Sequence, residues 1–171
     1  MGLLPFSAAH AAVVAGWPAS AGEVTLWCGR QEFPVPAQTI TDWQRDADVR
    51  AHVLVADGEV VGYGELWFDA DEDEVELARI IVAPDARGRG LGRALVRGLL
   101  ARAVAAGFSN VFMRVHPANA RALRCYRGAG FAPVDPALAE AWNEAQPVGY
   151  VWLQGDTGAP DARTGISASG P

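Results

Sequence analysis

The sequence contains no lysine: all 14 of its basic residues are arginines. That absence removes a P-loop lysine, a Schiff-base amine and a kinase-type phosphate lysine from the available chemistry. Cysteine is scarce as well. Cys28 and Cys125 are the only two, too few for a disulfide framework and better suited to a reducing cytoplasm. Together with His10, His52 and His116 they show no ligand spacing, so no metal site is expected. No apolar run approaches the roughly 20 residues that cross a bilayer, and the stretch from Met1 to Gly16 lacks the basic n-region of a signal peptide. A net charge of −6 disfavours binding to phosphate backbones. Neither nucleic acid nor membrane is an expected partner.

What remains is an ordinary globular balance, 50% hydrophobic and 20% charged over 171 residues, which suits one domain with one sizeable core. That domain is expected over residues 1–153. Residues 154–171 are rich in Gly, Ser, Ala, Pro and Asp, have almost nothing to bury, and are expected to form a disordered tail.

Up to Arg50 the chain predicts short helices and loops. Ser20 and Glu23 fit a capping box, Pro34 and Pro36 interrupt the chain, and Thr41 with Gln44 suggests a second capped turn around Trp43. Trp17, Trp27, Phe33 and Trp43 are expected in the core or in a pocket wall. From Ala51 the pattern changes. His52 to Ala56, a hairpin signal at Asp57-Gly58, Val60 to Phe68, an acidic turn at Asp69 to Asp73, and Val75 to Val82 predict a three-stranded antiparallel meander. Gly90 to Ala106 is a helix with Leu91, Leu95, Leu99 and Ala103 on one stripe, widened by Val96, Leu100 and Val104 and closed by Gly107. A strand at Asn110 to Val115 and a helix at Asn119 to Gly128 follow. Phe131 to Val134 and Gly149 to Leu153 predict the last strands, with Ala137 to Ala145 helical between them.

The segment from Val82 to Leu95 carries the chemistry: a strand enters a glycine-rich turn that opens the long helix. Unpaired amides and the positive end of the helix dipole meet there. Gly88, Gly90 and Gly92 offer no side chain to keep an anion from the backbone. The parts make a phosphate site, and flanking arginines can strengthen it. A dinucleotide fingerprint fails in either register, because Arg93 and Leu95 stand where its last glycine would be. Taken alone, the turn also admits a glycine-rich connection that binds nothing.

The spacing Arg87-x-x-Gly90-x-Gly92, after a strand ending in Val82-x-Pro84, resembles the acetyl-CoA signature of GNAT acetyltransferases. Further on, Asn119-Ala120-Arg121-Ala122-Leu123-Arg124-Cys125-Tyr126-Arg127-Gly128-Ala129-Gly130-Phe131 resembles that superfamily's second motif, N-x-x-A-x-x-x-Y-x-x-x-G-F, at every fixed position. The order of elements from Ala51 to Leu153 is similar too. The resemblance implies an α/β (α+β) fold with a mixed, mostly antiparallel central sheet flanked by helices. It implies an acetyl-CoA-dependent N-acetyltransferase acting on a small-molecule or peptide amine, with no metal.

By the same resemblance, the amides of Arg87, Gly88, Arg89, Gly90, Leu91, Gly92 and Arg93 hold the pyrophosphate of coenzyme A. Backbone near Ile80, Ile81 and Val82 pairs with the pantetheine arm. Asn119 and Tyr126, two helical turns apart and so on one face, are placed against the pantetheine and near the thioester sulfur. Tyr126 is then the acid that protonates the departing thiolate. A plain N-cap for Asn119 and a core position for Tyr126 are the plainer readings. Glu76 is the leading general base, with Glu65 its rival and Glu74 weaker. Members that acetylate protein N-termini often carry a glutamate where Arg114 stands here, which argues against that activity. The acidic run from Asp69 to Glu76 fits either a solvated hairpin or a funnel for a cationic acceptor. A non-catalytic acyl-CoA-binding module is the alternative function. A homodimer through an exposed sheet edge is a further expectation.

Overall fold

The computed structural model describes residues 1–158. Its elements in chain order are β1 (Gly2–Pro5), α1 (Ala11–Ala15), α2 (Ala21–Cys28), α3 (Ala37–Trp43), β2 (Val49–Ala56), β3 (Glu59–Asp69) and β4 (Glu74–Val82). There follow α4 (Leu91–Ala105), β5 (Asn110–Val115), α5 (Ala120–Gly128), β6 (Phe131–Pro133), α6 (Pro136–Asn143) and β7 (Val151–Gly155).

Turn chemistry builds the meander. Asp57 and Gly58 both take left-handed backbone, φ 52° and 83°, the two-residue turn whose twist suits a hairpin. The strands join one sheet in the order β1-β2-β3-β4-β5-β7-β6. Every neighbouring pair is antiparallel except β4 and β5.

Period-two alternation gives the sheet two apolar faces. Against one face lies α4, burying Leu95, Val96, Leu99 and Ala103 on Leu54, Leu66, Leu77 and Met113, with α5 beside it. Gly64 permits the close approach: a Cβ there would stand 2.7 Å from Leu99 Cδ1. The opposite face carries α1 to α3 over Val53, Tyr63 and Ile81 and, further along, α6 over Phe112 and Trp152. The helices on this second face leave a gap between them, and the site lies where that gap runs between parted strands to α5 of the first face.

Several expectations are corrected. The first residues are not only helices and loops, because Gly2–Pro5 adds an edge strand to β2. Four residues are too short for alternation to show. The helix near Trp43 begins at Pro36 as its N-cap and runs through Thr41, so the expected cap lies a turn too late. Val104 leaves the core stripe and is 40% exposed. Gln154 and Gly155, expected in the tail, complete β7 and pair with Ala132 and Phe131. Residues 159–171 of that expected tail lie outside the described residues. No described helix is long and apolar enough to cross a membrane, and no cluster of described residues could hold a metal ion.

Candidate active site

The parallel pair opens almost as soon as it forms. β4 and β5 are in register only at Glu74↔Asn110, Val75↔Val111 and Glu76↔Phe112. The reason lies on the other edge of β4. Between Tyr63↔Ile81 and Glu65↔Ala78 the register advances two residues on β3 and three on β4. The extra residue bends the strand, as bulges do. Within this bulge Arg79 takes left-handed backbone at φ 48°, which costs a residue with a Cβ about 1–2 kcal/mol. Beyond Glu76 the strands diverge. Leu77 to Ile80 and Met113 to His116 face each other across a cleft of about 220 Å³, completed by Asn119, Tyr126 and the end of α2.

A buried network holds the bulge. The Arg79 guanidinium stands 3.9 Å from the Trp43 ring and 4.8 Å from that of Trp67, and donates to Glu65 Oε2 at 2.9 Å. The Arg79 carbonyl accepts from Trp27 Nε1 at 2.8 Å. Glu65 has no solvent exposure. Its Oε1 accepts from the Tyr63 hydroxyl, and its Oε2 accepts also from Trp67 Nε1 at 2.6 Å. Gln44 Nε2 in turn donates to the Tyr63 oxygen at 3.1 Å. Burial, then the Glu65 carboxylate, pushes the Tyr63 phenol well above its ordinary range. Glu65 therefore has both oxygens engaged and lines neither cavity of this face.

Glu76 is placed differently. It lines the cleft where β4 and β5 part, and its Oε1 pairs with Arg114 Nε at 2.8 Å. Burial raises its carboxyl above the usual carboxylate range even against the guanidinium. Arg114 Nη1 donates to Gln146 Oε1 at 3.0 Å, and its guanidinium carbon lies 5.5–5.7 Å from the rings of Trp152, Trp67 and Tyr150. The residue singled out as a departure from one branch of the family is thus the partner of Glu76. Glu74, at the start of β4, lines a neighbouring cavity instead.

After Val82 a short 3₁₀ turn, Pro84–Ala86, leads into Gly88 and Gly90 at φ 78° and 81°. These left-handed positions require glycine, and they turn the chain into the N-terminus of α4. Gly92 serves packing: a Cβ would stand 3.0 Å from Cys125 Sγ and hold α5 away. Arg87 is engaged within the protein, donating from Nε to the Val82 carbonyl at 3.0 Å and bridging to Glu23 at 3.3 Å. It ties α2 to the turn. A hydrogen bond from the Ala19 amide, then the Arg87 contact, keeps the Glu23 carboxyl below its ordinary range. Arg89 forms no ion pair among the described residues, while the Arg93 guanidinium lies against Gly128 on α5.

Asn119 caps α5, its Oδ1 accepting from the Ala122 amide at 3.1 Å, and it also lines the cleft with Tyr126. Tyr126 is 9% exposed. Burial, then the adjacent Cys125 thiol, pushes its phenol above the ordinary value, and its hydroxyl makes no hydrogen bond among the described residues. Of the three strand residues expected near the pantetheine, Ile80 lines the cleft while Ile81 is buried in the core under α1 to α3. Trp27, expected in the core or in a pocket wall, lines the cleft from the end of α2, whereas sequence reasoning did not find Arg79, Gln146 or Tyr150 as parts of this site. Arg79 carries no local sign of its backbone conformation. The Trp-rich segment around Trp142 and Trp152 was the available signal for the far wall.

A family model described as Acetyltransferase (GNAT) family matches residues 21–131. The streptothricin acetyltransferase of Streptomyces lavendulae is 38% identical over 51% of this chain and 47% of its own length. The IAA acetyltransferase of Azospirillum brasilense is 33% identical over 61% of this chain and 69% of its own. The chain thus spans about half the length of the first of these relatives. Among solved structures, an aminoglycoside acetyltransferase in complex with coenzyme A superposes with a TM-score of 0.72 at 20% identity, covering 90% of this chain and 93% of that one. A spermidine N-acetyltransferase from Vibrio cholerae in complex with CoA and spermine gives 0.64 at 19% identity, covering 78% and 82%. The family model takes in the glycine turn, the splayed strands and the Asn119–Phe131 segment together, and the chain belongs to the GNAT acetyltransferase family.

Proposed function

We propose that the protein is an acetyl-CoA-dependent N-acetyltransferase that moves an acetyl group directly to a primary amine, with Glu76 as general base and Tyr126 as general acid. The observation that carries this is the parting of β4 from β5, which sets Glu76 and Tyr126 around one cleft, with β4 running on toward the glycine turn. A strand edge left without its neighbour suits an extended amide-bearing arm. The left-handed amides at Gly88 and Gly90 and the start of α4 suit a pyrophosphate, with Arg89 as a flanking cation.

Acetyl-CoA supplies an acyl group on a good leaving thiolate. The acceptor enters as an ammonium and must lose a proton before its nitrogen can attack. Glu76, its pKa raised by burial, takes that proton directly or through water. The neutral nitrogen forms a bond to the thioester carbon, the carbon–sulfur bond breaks, and the thiolate takes the Tyr126 phenolic proton. The second proton leaving the new amide nitrogen passes to solvent and restores the phenol. A phenol is protonated at neutral pH and so has that proton to give. The names of similar proteins, streptothricin, aminoglycoside and spermidine acetyltransferases, support a small polar amine as acceptor.

The test is coenzyme A release across a panel of amines, with wild type and Tyr126→Phe. The substitution is expected to lower kcat by about 10²-fold or more while the Kd for acetyl-CoA stays nearly constant. An unchanged kcat removes Tyr126 from the chemistry. Binding without turnover on every amine would leave a non-catalytic module.

A further inference from the structure

Next to the transfer cleft, on the same face of the sheet, lies a second cavity of about 320 Å³. The two share Trp67, Glu76 and Gln146. The hydrogen-bonded chain Glu76–Arg114–Gln146 therefore stands as a bar between them. The far walls are aromatic: Phe112, Trp142 and Trp152 join Trp67. Trp142 meets Trp152 at 4.9 Å and Phe112 at 5.0 Å, both near edge-to-face. Trp152 Nε1 donates to Asn143 Oδ1 at 3.0 Å, and that same oxygen accepts from the Tyr150 amide at 3.1 Å. The indoles are thus fixed in place before any ligand arrives.

The charged groups lining this cavity are Asp69, Glu74 and Glu76. Arg114 is the adjacent cation; it is paired with Glu76, and its guanidinium carbon lies 5.5 Å from the Trp152 ring and 5.7 Å from that of Trp67 on the cleft side of the bar. Indole faces attract organic cations, and more strongly when water is excluded. Carboxylates add to that attraction, repel an anion, and would be left desolvated by a purely apolar guest. Within the acetyltransferase reading above, we infer that this cavity is an acceptor subsite for a second cationic group. The preferred acceptors are then diamines or guanidino-amines. One amine lies at Glu76 for transfer, and the other cation lies beyond the bar among Trp142, Trp152 and Asp69. α6, which supplies Trp142, becomes a specificity-determining element.

The experiment pairs cadaverine with pentylamine, equal in chain length but different in charge, at saturating acetyl-CoA. Cadaverine is expected to show a kcat/KM about tenfold higher. Trp142→Ala and Asp69→Asn should each shrink that ratio, and Trp142→Phe, which keeps an aromatic face, should retain most of it. Equal kcat/KM for the two amines, or a ratio untouched by both variants, overturns the subsite while leaving the acetyltransferase reading intact. Should neither amine be acetylated, cadaverine binding is read directly by quenching of tryptophan fluorescence. Quenching by cadaverine but not pentylamine, lost in Trp142→Ala, supports the subsite even with the transfer reading gone. No quenching by either overturns it.

Discussion

Two glutamates project from neighbouring strands onto the same face of the sheet, Glu65 from β3 and Glu76 from β4. The first is sealed, with three donors from Tyr63, Trp67 and Arg79 on its two oxygens. The second has one partner, Arg114, and opens on the cleft. Both are glutamates on strands near an acidic turn, so the residue type does not separate them. What separates them is the bulge. It brings Arg79 back over Glu65, and by parting β4 from β5 it uncovers Glu76. In the reading proposed here one carboxylate holds the shape that the other uses.

The comparison can be broken at either end. Glu65→Gln leaves the Arg79 guanidinium, itself largely buried, without its counter-charge, and is expected to cost about 3–5 kcal/mol in chemical denaturation. Adding Arg79→Gly removes the orphaned cation and accepts the left-handed backbone freely, so the double variant should recover about 1 kcal/mol or more. A double variant no better than Glu65→Gln would sever the network from the bulge.

Glu76→Gln is the opposite case. Its expected effect is on rate, a fall in kcat of about 10²-fold, with a stability cost below that of Glu65→Gln because the Arg114 guanidinium it leaves unpaired keeps its hydrogen bond to Gln146. The sign follows from burial. A carboxyl whose folded pKa is raised contributes stability below its unfolded pKa, and this is lost as pH rises through the folded value. Burial of the ionised side chain therefore gains nothing at neutral pH, and what the neutral amide loses is the Arg114 pair. The pH profile of kcat/KM sharpens the point. Wild type should gain activity as pH rises through a value above the ordinary carboxylate range, and that limb should vanish in Glu76→Gln. A limb that persists assigns the base elsewhere.

The smallest effect is expected at the turn. Gly90→Ala meets no neighbouring atom within 4 Å, so its cost comes from φ 81° alone, about 1–2 kcal/mol. The KM for acetyl-CoA should rise, with the kcat on saturating cosubstrate little changed.

Much of this was legible because local rules were left undisturbed. Asp57-Gly58 demanded its hairpin, the Leu95–Leu99–Ala103 stripe demanded a buried helix, and Gly88, Gly90 and Gly92 marked a turn the backbone must enter closely. Asn119 is the N-cap its position suggested. The misses share a cause. β1 is too short to show a period, and its pairing with β2 is a long-range contact. The conformation of Arg79 opposes its own local preference and is imposed by Glu65, Trp27, Trp43 and Trp67 from three other elements. Arg114 and Gln146 meet Glu76 only because β5 and the segment after α6 fold back beside β4.

The sequence by itself determined the family, the order of strands and helices after Ala51, and the glycine turn at the head of α4. These rest on patterns within a few residues of each other, where backbone geometry and side-chain period act directly. Only the tertiary structure decided which carboxylate is sealed and which is open, and where the strands part. It also decided that a tryptophan-lined cavity adjoins the cleft. Those outcomes depend on desolvation and on charge pairing between residues far apart in the chain, and neither exists until the sheet has closed around them.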